Sequence, residues 1–226
     1  MIKENLAFVR QTVPAHVKLI AVSKTKPVSD IEEAYAAGQR VFGENKALEM
    51  RDKHNDLPED VEWHFIGHLQ TNKIKYIAPF VSLIHSIDSL NVLRAVDKEA
   101  AKNERVINCL LQFHIAEEET KFGLDLGEAE AILTSDEYRS LAHIRICGVM
   151  GMATNTDDET RIRKEFGELR KIFNTLKDKY FGGKKDFKEI SMGMSEDYPI
   201  AIEEGATMVR VGSKIFGKRV YAEVND

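Results

Sequence analysis

Short apolar runs alternate with amphipathic stretches along the whole chain. Runs at 18–24, 39–43, 62–67, 81–87, 105–114, 144–150, 188–192 and 207–211 read as strands. The stretches 45–56, 71–78, 89–103, 127–134 and 157–179 carry helical periodicity. An earlier helix, 29–38, opens on Ser29 with Glu32 three residues on, the pattern of a capping box, and closes on Gly38. The stretch 196–205 also closes on a glycine, and a further helix is expected at 2–12. Regular β–α alternation predicts a parallel sheet with right-handed crossovers. Eight such units fit a closed (β/α)8 TIM barrel at the small end of its size range, with an extra N-terminal helix. An open doubly wound sheet competes, but no dinucleotide fingerprint follows the first strand. No linker, repeat or low-complexity tract interrupts the pattern, so one domain over 1–226 is expected.

Composition narrows the class. The chain has 226 residues, 43% of them hydrophobic, enough for a full core. A formal net charge of -5 argues against a nucleic-acid binder, which would present a basic surface. Cys109 and Cys147 lie in apolar runs without C-x-x-C spacing and are expected as buried thiols, not metal ligands. Met1-Ile2-Lys3-Glu4-Asn5 offers no signal-peptide core, and no apolar run approaches the ~18 residues of a membrane span. A cytoplasmic protein without membrane contact is the expectation.

Polar residues at the strand ends suggest chemistry. Lys24 ends the first strand, where a buried parallel strand should stay apolar. An amine held there loses hydration, its pKa falls, and the neutral form attacks carbonyls; the alternative is a solvated lysine in the Thr25-Lys26-Pro27 loop. In barrels the loops after strands 7 and 8 often hold phosphate. Here they carry Ser191-Met192-Gly193-Met194-Ser195 and Gly212-Ser213, small residues that let backbone approach an anion; two serine-capped turns are the plainer explanation. Arg210 lies inside the last strand, where a charge needs a partner. That partner is a carboxylate such as Glu44, a ring nitrogen or acidic group of a ligand, or both, since the two are compatible. Asn45 and His68 follow the second and third strands; each either serves a ligand or caps a helix. Gly148-Val149-Met150-Gly151-Met152 offers an edge for a planar ligand or simple strand packing. An imine-forming lysine, a phosphate cup and a central arginine together suit pyridoxal 5′-phosphate (PLP), through its aldehyde, phosphate and ring nitrogen. A sugar-phosphate aldolase would use the same lysine and phosphate site.

The motifs Val22-Ser23-Lys24, Phe42-Gly43-Glu44-Asn45, His64-Phe65-Ile66-Gly67-His68-Leu69-Gln70-Thr71-Asn72-Lys73, Gly148-Val149-Met150-Gly151-Met152, Ser191-Met192-Gly193-Met194-Ser195 and Val209-Arg210-Val211-Gly212-Ser213, in this order, resemble those of the pyridoxal phosphate homeostasis proteins. Glu119-Thr120-Lys121-Phe122-Gly123 is similar to the family's segment after strand 5. The resemblance implies the barrel of the alanine racemase N-terminal domain. It implies PLP held as a Schiff base on Lys24, with Ser191, Gly212 and Ser213 on the phosphate, Arg210 facing the pyridine nitrogen, and Asn45 and Met150 lining the ring. It also implies a carrier or regulator in PLP (vitamin B6) and amino-acid homeostasis without turnover, with PLP-dependent acceptor enzymes as partners. Lys214 departs from the family's small or uncharged residue.

An arginine opposite the pyridine nitrogen leaves it unprotonated and weakens the ring as an electron sink. Racemases with this barrel add a tyrosine base from a further domain of the partner subunit. This chain ends nine residues after Gly217, so that domain and the dimer it builds are not expected. A monomer follows. A weakly active racemase is the alternative; its second base would be His68 or Tyr198. The polar stretch 152–160 is placed to act as a lid.

Overall fold

Eight parallel strands close into a barrel in simple chain order: β1 (Lys18–Val22), β2 (Val41–Glu44), β3 (Glu62–Phe65), β4 (Leu83–Ile87), β5 (Ile107–Phe113), β6 (Ile144–Gly151), β7 (Glu189–Ser191) and β8 (Met208–Val211). This computed structural model describes residues 1–119 and 122–218. Closure runs through β1 and β8, where Lys18 pairs with Met208 and Ile20 with Arg210. The helices are α1 (Ile2–Thr12), α2 (Val28–Ala36), α3 (Ala47–Asp56), α4 (Leu90–Lys102), α5 (Leu126–Thr134), α6 (Asp136–Ser140), α7 (Glu159–Tyr180), α8 (Tyr198–Glu203) and α9 (Ser213–Phe216). The crossover after β3 is a 3-10 helix, Thr71–Tyr76, where periodicity predicts an α-helix.

Strand alternation sorts the side chains into two layers. Outward-facing Phe42, Trp63, Phe65, Ile84, Leu111, Val149 and Val209 are buried against the helices in the main core. Each such burial contributes about 1.5–3 kcal/mol. Inward-facing Ile20, Val41, Leu83, Leu110, Cys147, Met150 and Met208 form a smaller cluster inside the barrel. Cys109 and Cys147 are free buried thiols on opposite faces of the sheet. Burial pushes Cys147 up to about 11 and raises Cys109 further, so neither carries a thiolate near neutral pH.

Helix ends follow local chemistry, with one correction. Gly38 takes φ +91°, its N–H bonds to Tyr35 O at 2.8 Å, and Gln39 N–H reaches back to Ala34 O at 3.0 Å. That is a Schellman closure, and a left-handed residue there favours glycine. The expected capping box of Ser29 and Glu32 is absent. Helix α2 starts one residue earlier, at Val28, with Pro27 in the capping position and no side-chain cap. Ser29 is thus already inside the first turn. A capping box does form at α5, between Asp125 and Glu128. No helix among the described residues is long and apolar enough to cross a membrane.

Candidate functional site

The carboxyl ends of the strands surround a cavity of about 760 Å³. Lys24, Asn45, Arg210, Gly212 and Ser213 all line it, brought from the ends of β1, β2 and β8. Met150 and Ser191 do not. Met150 is buried one layer deeper in the barrel, and Met152 takes the wall position. Ser191 is fully buried; the serine of that segment on the wall is Ser195, whose Oγ accepts the Gly212 N–H at 3.1 Å.

Lys24 is half-buried in a tight turn after β1, closed by Lys26 N–H to Ser23 O at 3.0 Å. The turn is tied to α3 on both sides of Lys24. Lys53 Nζ donates to Ser23 O (2.8 Å), Glu44 Oε1 (2.7 Å) and Glu49 Oε1 (2.8 Å). Glu49 Oε1 also accepts the Thr25 N–H at 2.7 Å, holding Thr25 at φ +67°, a left-handed conformation unusual for a β-branched residue. Ser23 Oγ donates to Glu44 Oε1 at 2.7 Å. Glu44 is therefore the partner of Lys53 and Ser23, not of Arg210 as the sequence alternative had it. It points outward toward α3, whereas Arg210 points into the barrel. Burial lifts the Glu44 carboxyl above its ordinary range, although Lys53 pulls it down.

Removing the buried ammonium strands Glu44. Lys53→Met is expected to destabilise the protein by about 3–5 kcal/mol, the usual result of breaking one partner of a buried pair. Urea denaturation checks this; a loss below about 1 kcal/mol would mean that Lys53 does not anchor the turn.

Arg210 is buried at the floor of the cavity. Its Nη1 donates to Ser191 Oγ at 2.6 Å and its Nη2 to Gly151 O at 3.3 Å. Burial lowers its pKa to about 10, with Asp197 opposing, so the guanidinium stays charged near neutral pH. The Asn45 carboxamide Oδ1 is buried with no hydrogen-bond partner among the described residues, an acceptor that a ligand donor would satisfy.

The two candidates for a second base are placed otherwise. Tyr198 is buried against α1, with its hydroxyl 2.6 Å from Thr12 Oγ1, and does not line the cavity. His68 does line it, stacked on Phe122 with ring centroids 4.2 Å apart and Nδ1 3.7 Å from Asp88 Oδ2. Lys214 is exposed with its Nζ 5.3 Å from the Tyr198 ring centroid, outside the cavity lining.

The stretch 152–157 forms one cavity wall. Thr154 secures it, donating its N–H and hydroxyl to buried Glu165 of α7 at 2.6 and 2.7 Å. In the segment 119–123, Thr120 and Lys121 lie outside the described residues. No group of three or more His, Cys, Asp or Glu among the described residues is arranged to hold a metal ion.

The sequence profile of the family described as "Alanine racemase, N-terminal domain" matches residues 1–220. The pyridoxal phosphate homeostasis protein of Aquifex aeolicus is 40% identical over 206 residues, covering 90% of this chain and 88% of that one. Structures of PipY from Synechococcus elongatus without and with PLP bound superpose with TM-scores of 0.88 and 0.86 at 37% and 36% identity. Both cover 96% of this chain and all of PipY. Alanine racemase of Clostridium difficile shares the fold alone, with a TM-score of 0.77 at 14% identity over 99% of this chain and 61% of its own.

Proposed function

From the premise that this chain belongs to the alanine racemase N-terminal domain family, and within it to the pyridoxal phosphate homeostasis proteins, we propose that it binds PLP covalently through Lys24 and takes part in intracellular PLP homeostasis. The observation that carries the proposal is one cavity lined by Lys24, Asn45, Arg210 and the Gly212–Ser213 turn. The donor set fits PLP. The Lys24 amine condenses with its aldehyde to a Schiff base, releasing one water. The first amides of α9, which have no intrahelical partner, and the hydroxyls of Ser213 and Ser195 suit its phosphate. Ser191, buried below, contributes by holding Arg210.

When bound, PLP supplies an electron sink whose strength depends on protonation of its ring nitrogen. Arg210 only donates hydrogen bonds and keeps its own proton, so it leaves that nitrogen unprotonated. Tyr198 is turned to Thr12, and His68 is stacked at the cavity mouth. These features support a carrier without amino-acid turnover; we further propose that it is monomeric and cytoplasmic and passes PLP to dependent enzymes.

The test is the visible spectrum of the purified protein with PLP, followed by borohydride and by incubation with L- and D-alanine. A band that borohydride bleaches, without racemisation, is the expected result. Racemisation would move the protein to the weakly active racemase. No band would sink PLP binding through Lys24.

A further inference from the structure

Barrel interiors are normally filled with layers of branched aliphatic side chains. Here three consecutive polar contacts join four side chains. Arg210 Nη1 donates to Ser191 Oγ at 2.6 Å, Ser191 Oγ lies 2.9 Å from His85 Nδ1, and His85 Nε2 lies 2.9 Å from His64 Nδ1. All four residues are more than nine-tenths buried. The line crosses the barrel through β8, β7, β4 and β3. At its far end His64 lines a second cavity of about 290 Å³ beside Lys18 and Glu62, with its Nε2 4.0 Å from Glu62 Oε2.

A guanidinium at one end, together with the need to satisfy every buried donor, sets the direction of the bonds. A guanidinium donates and never accepts. Ser191 Oγ accepts from Arg210, and its own proton has no acceptor among the described residues except His85 Nδ1, so satisfying that buried hydroxyl leaves Nδ1 bare. His85 carries its proton on Nε2 and donates to His64 Nδ1, also bare. His64 then presents Nε2–H toward Glu62. One arrangement satisfies every member, and both imidazoles are neutral in it. Burial depresses both: His64 to about 3, and His85 well below its ordinary value, with the charges of His64, Arg210 and Lys18 adding to the effect.

We infer that His85, with His64 behind it, is a positioning residue for Arg210: a one-directional line of neutral hydrogen bonds fixes the guanidinium at the cavity floor without cancelling its charge. A carboxylate in place of Ser191 would tether the arginine as firmly but neutralise it. A half-satisfied line would cost more than an apolar interior, so its members stand or fall together. The inference rests on the proposed role of Arg210 toward the PLP ring.

The first readout needs no ligand. Nitrogen-15 NMR of the unliganded protein is expected to show Nε2–H tautomers at both histidines, unchanged from pH 8 to pH 5. The Arg210 side-chain N–H groups are expected to be resolved and slowly rotating, and to average in His85→Leu, which has no acceptor. His85→Gln offers an amide oxygen near Nδ1 and an amide nitrogen near Nε2. It is expected to restore the slow rotation and to bind PLP within about twofold of the parent, while His85→Leu binds about tenfold more weakly with a shifted visible band. A space-filling role would make leucine at least as good as glutamine. A charged or Nδ1–H His85 at pH 7, or a folded His85→Leu protein with slow Arg210 rotation and parental PLP affinity, would overturn the inference. If His85→Leu does not fold, the tautomers and His85→Gln decide. Failure of the parent to bind PLP would sink the proposed function alone, because the tautomers and arginine rotation are read without it.

Discussion

Lys24→Ala is expected to eliminate the borohydride-sensitive visible band of the PLP-treated protein and to weaken retention of PLP by well over tenfold, more than about 1.4 kcal/mol. Alanine has no amine to condense, and no other lysine among the described residues lines the cavity. The near neighbour Lys26 is engaged elsewhere, donating from Nζ to Phe216 O at 2.9 Å and Lys218 O at 3.2 Å. Lys26→Ala should keep the band. The fold should survive Lys24→Ala, because the turn is held by Ser23 O and the Thr25 N–H through Lys53 and Glu49. A thermal melt within a few degrees of the parent, beside the lost band, separates lost chemistry from lost structure. The opposite pattern, a band kept in Lys24→Ala and lost in Lys26→Ala, would refute the assignment.

The barrel was legible in the sequence because alternation of apolar runs and amphipathic stretches is itself the topology, and because Gly38 and Gly205 mark helix ends locally. Lys24 and Arg210 stood out for a related reason: a charge in an otherwise apolar strand is a local anomaly. Depth was not legible. Alternation says which face a residue takes, not how far along the strand it sits. Met150 faces inward as expected but lies one layer below the cavity, and Met152, the next inward position, reaches the wall. The register shift between β5 and β6, where Cys109 pairs with Ile146 but Leu110 with Gly148, adds a residue that no periodicity reveals. Ser191 and Ser195 differ in the same way, one inside the barrel and one beyond the strand end. Partners far apart in sequence were also hidden. Tyr198 meets Thr12 across 186 positions, and the line from His64 to Arg210 draws on four separate strands. His64 and His85 did carry a signal, since each is a titratable residue in a run that should be apolar on both faces.

That same pair predicts a steep loss of stability in acid. In the unfolded chain both histidines gain protons below about pH 6.5. In the fold they stay neutral, His64 down to about 3 and His85 lower than its ordinary value by burial. Between these limits the unfolded state binds more protons, so stability falls as pH falls, by about 1.4 kcal/mol per pH unit for each histidine. From pH 6 to pH 4 His64 alone removes about 2.5 kcal/mol, and His85 adds to the loss in the same direction, against the 5–15 kcal/mol typical of a folded domain. Glu44 works in the other direction. Its raised carboxyl gives stability that is present in acid and lost as pH rises from the ordinary carboxylate value through the folded one, so it trims the slope only in that narrower window. Urea denaturation at half-unit steps from pH 7 to pH 4 should therefore show stability falling toward acid, with a shallower slope in His85→Gln, which cannot take up a proton in either state. A flat profile over this range would mean that the histidines are charged in the fold. The one-directional line could not then exist, and Arg210 would be held by Ser191 and Gly151 alone.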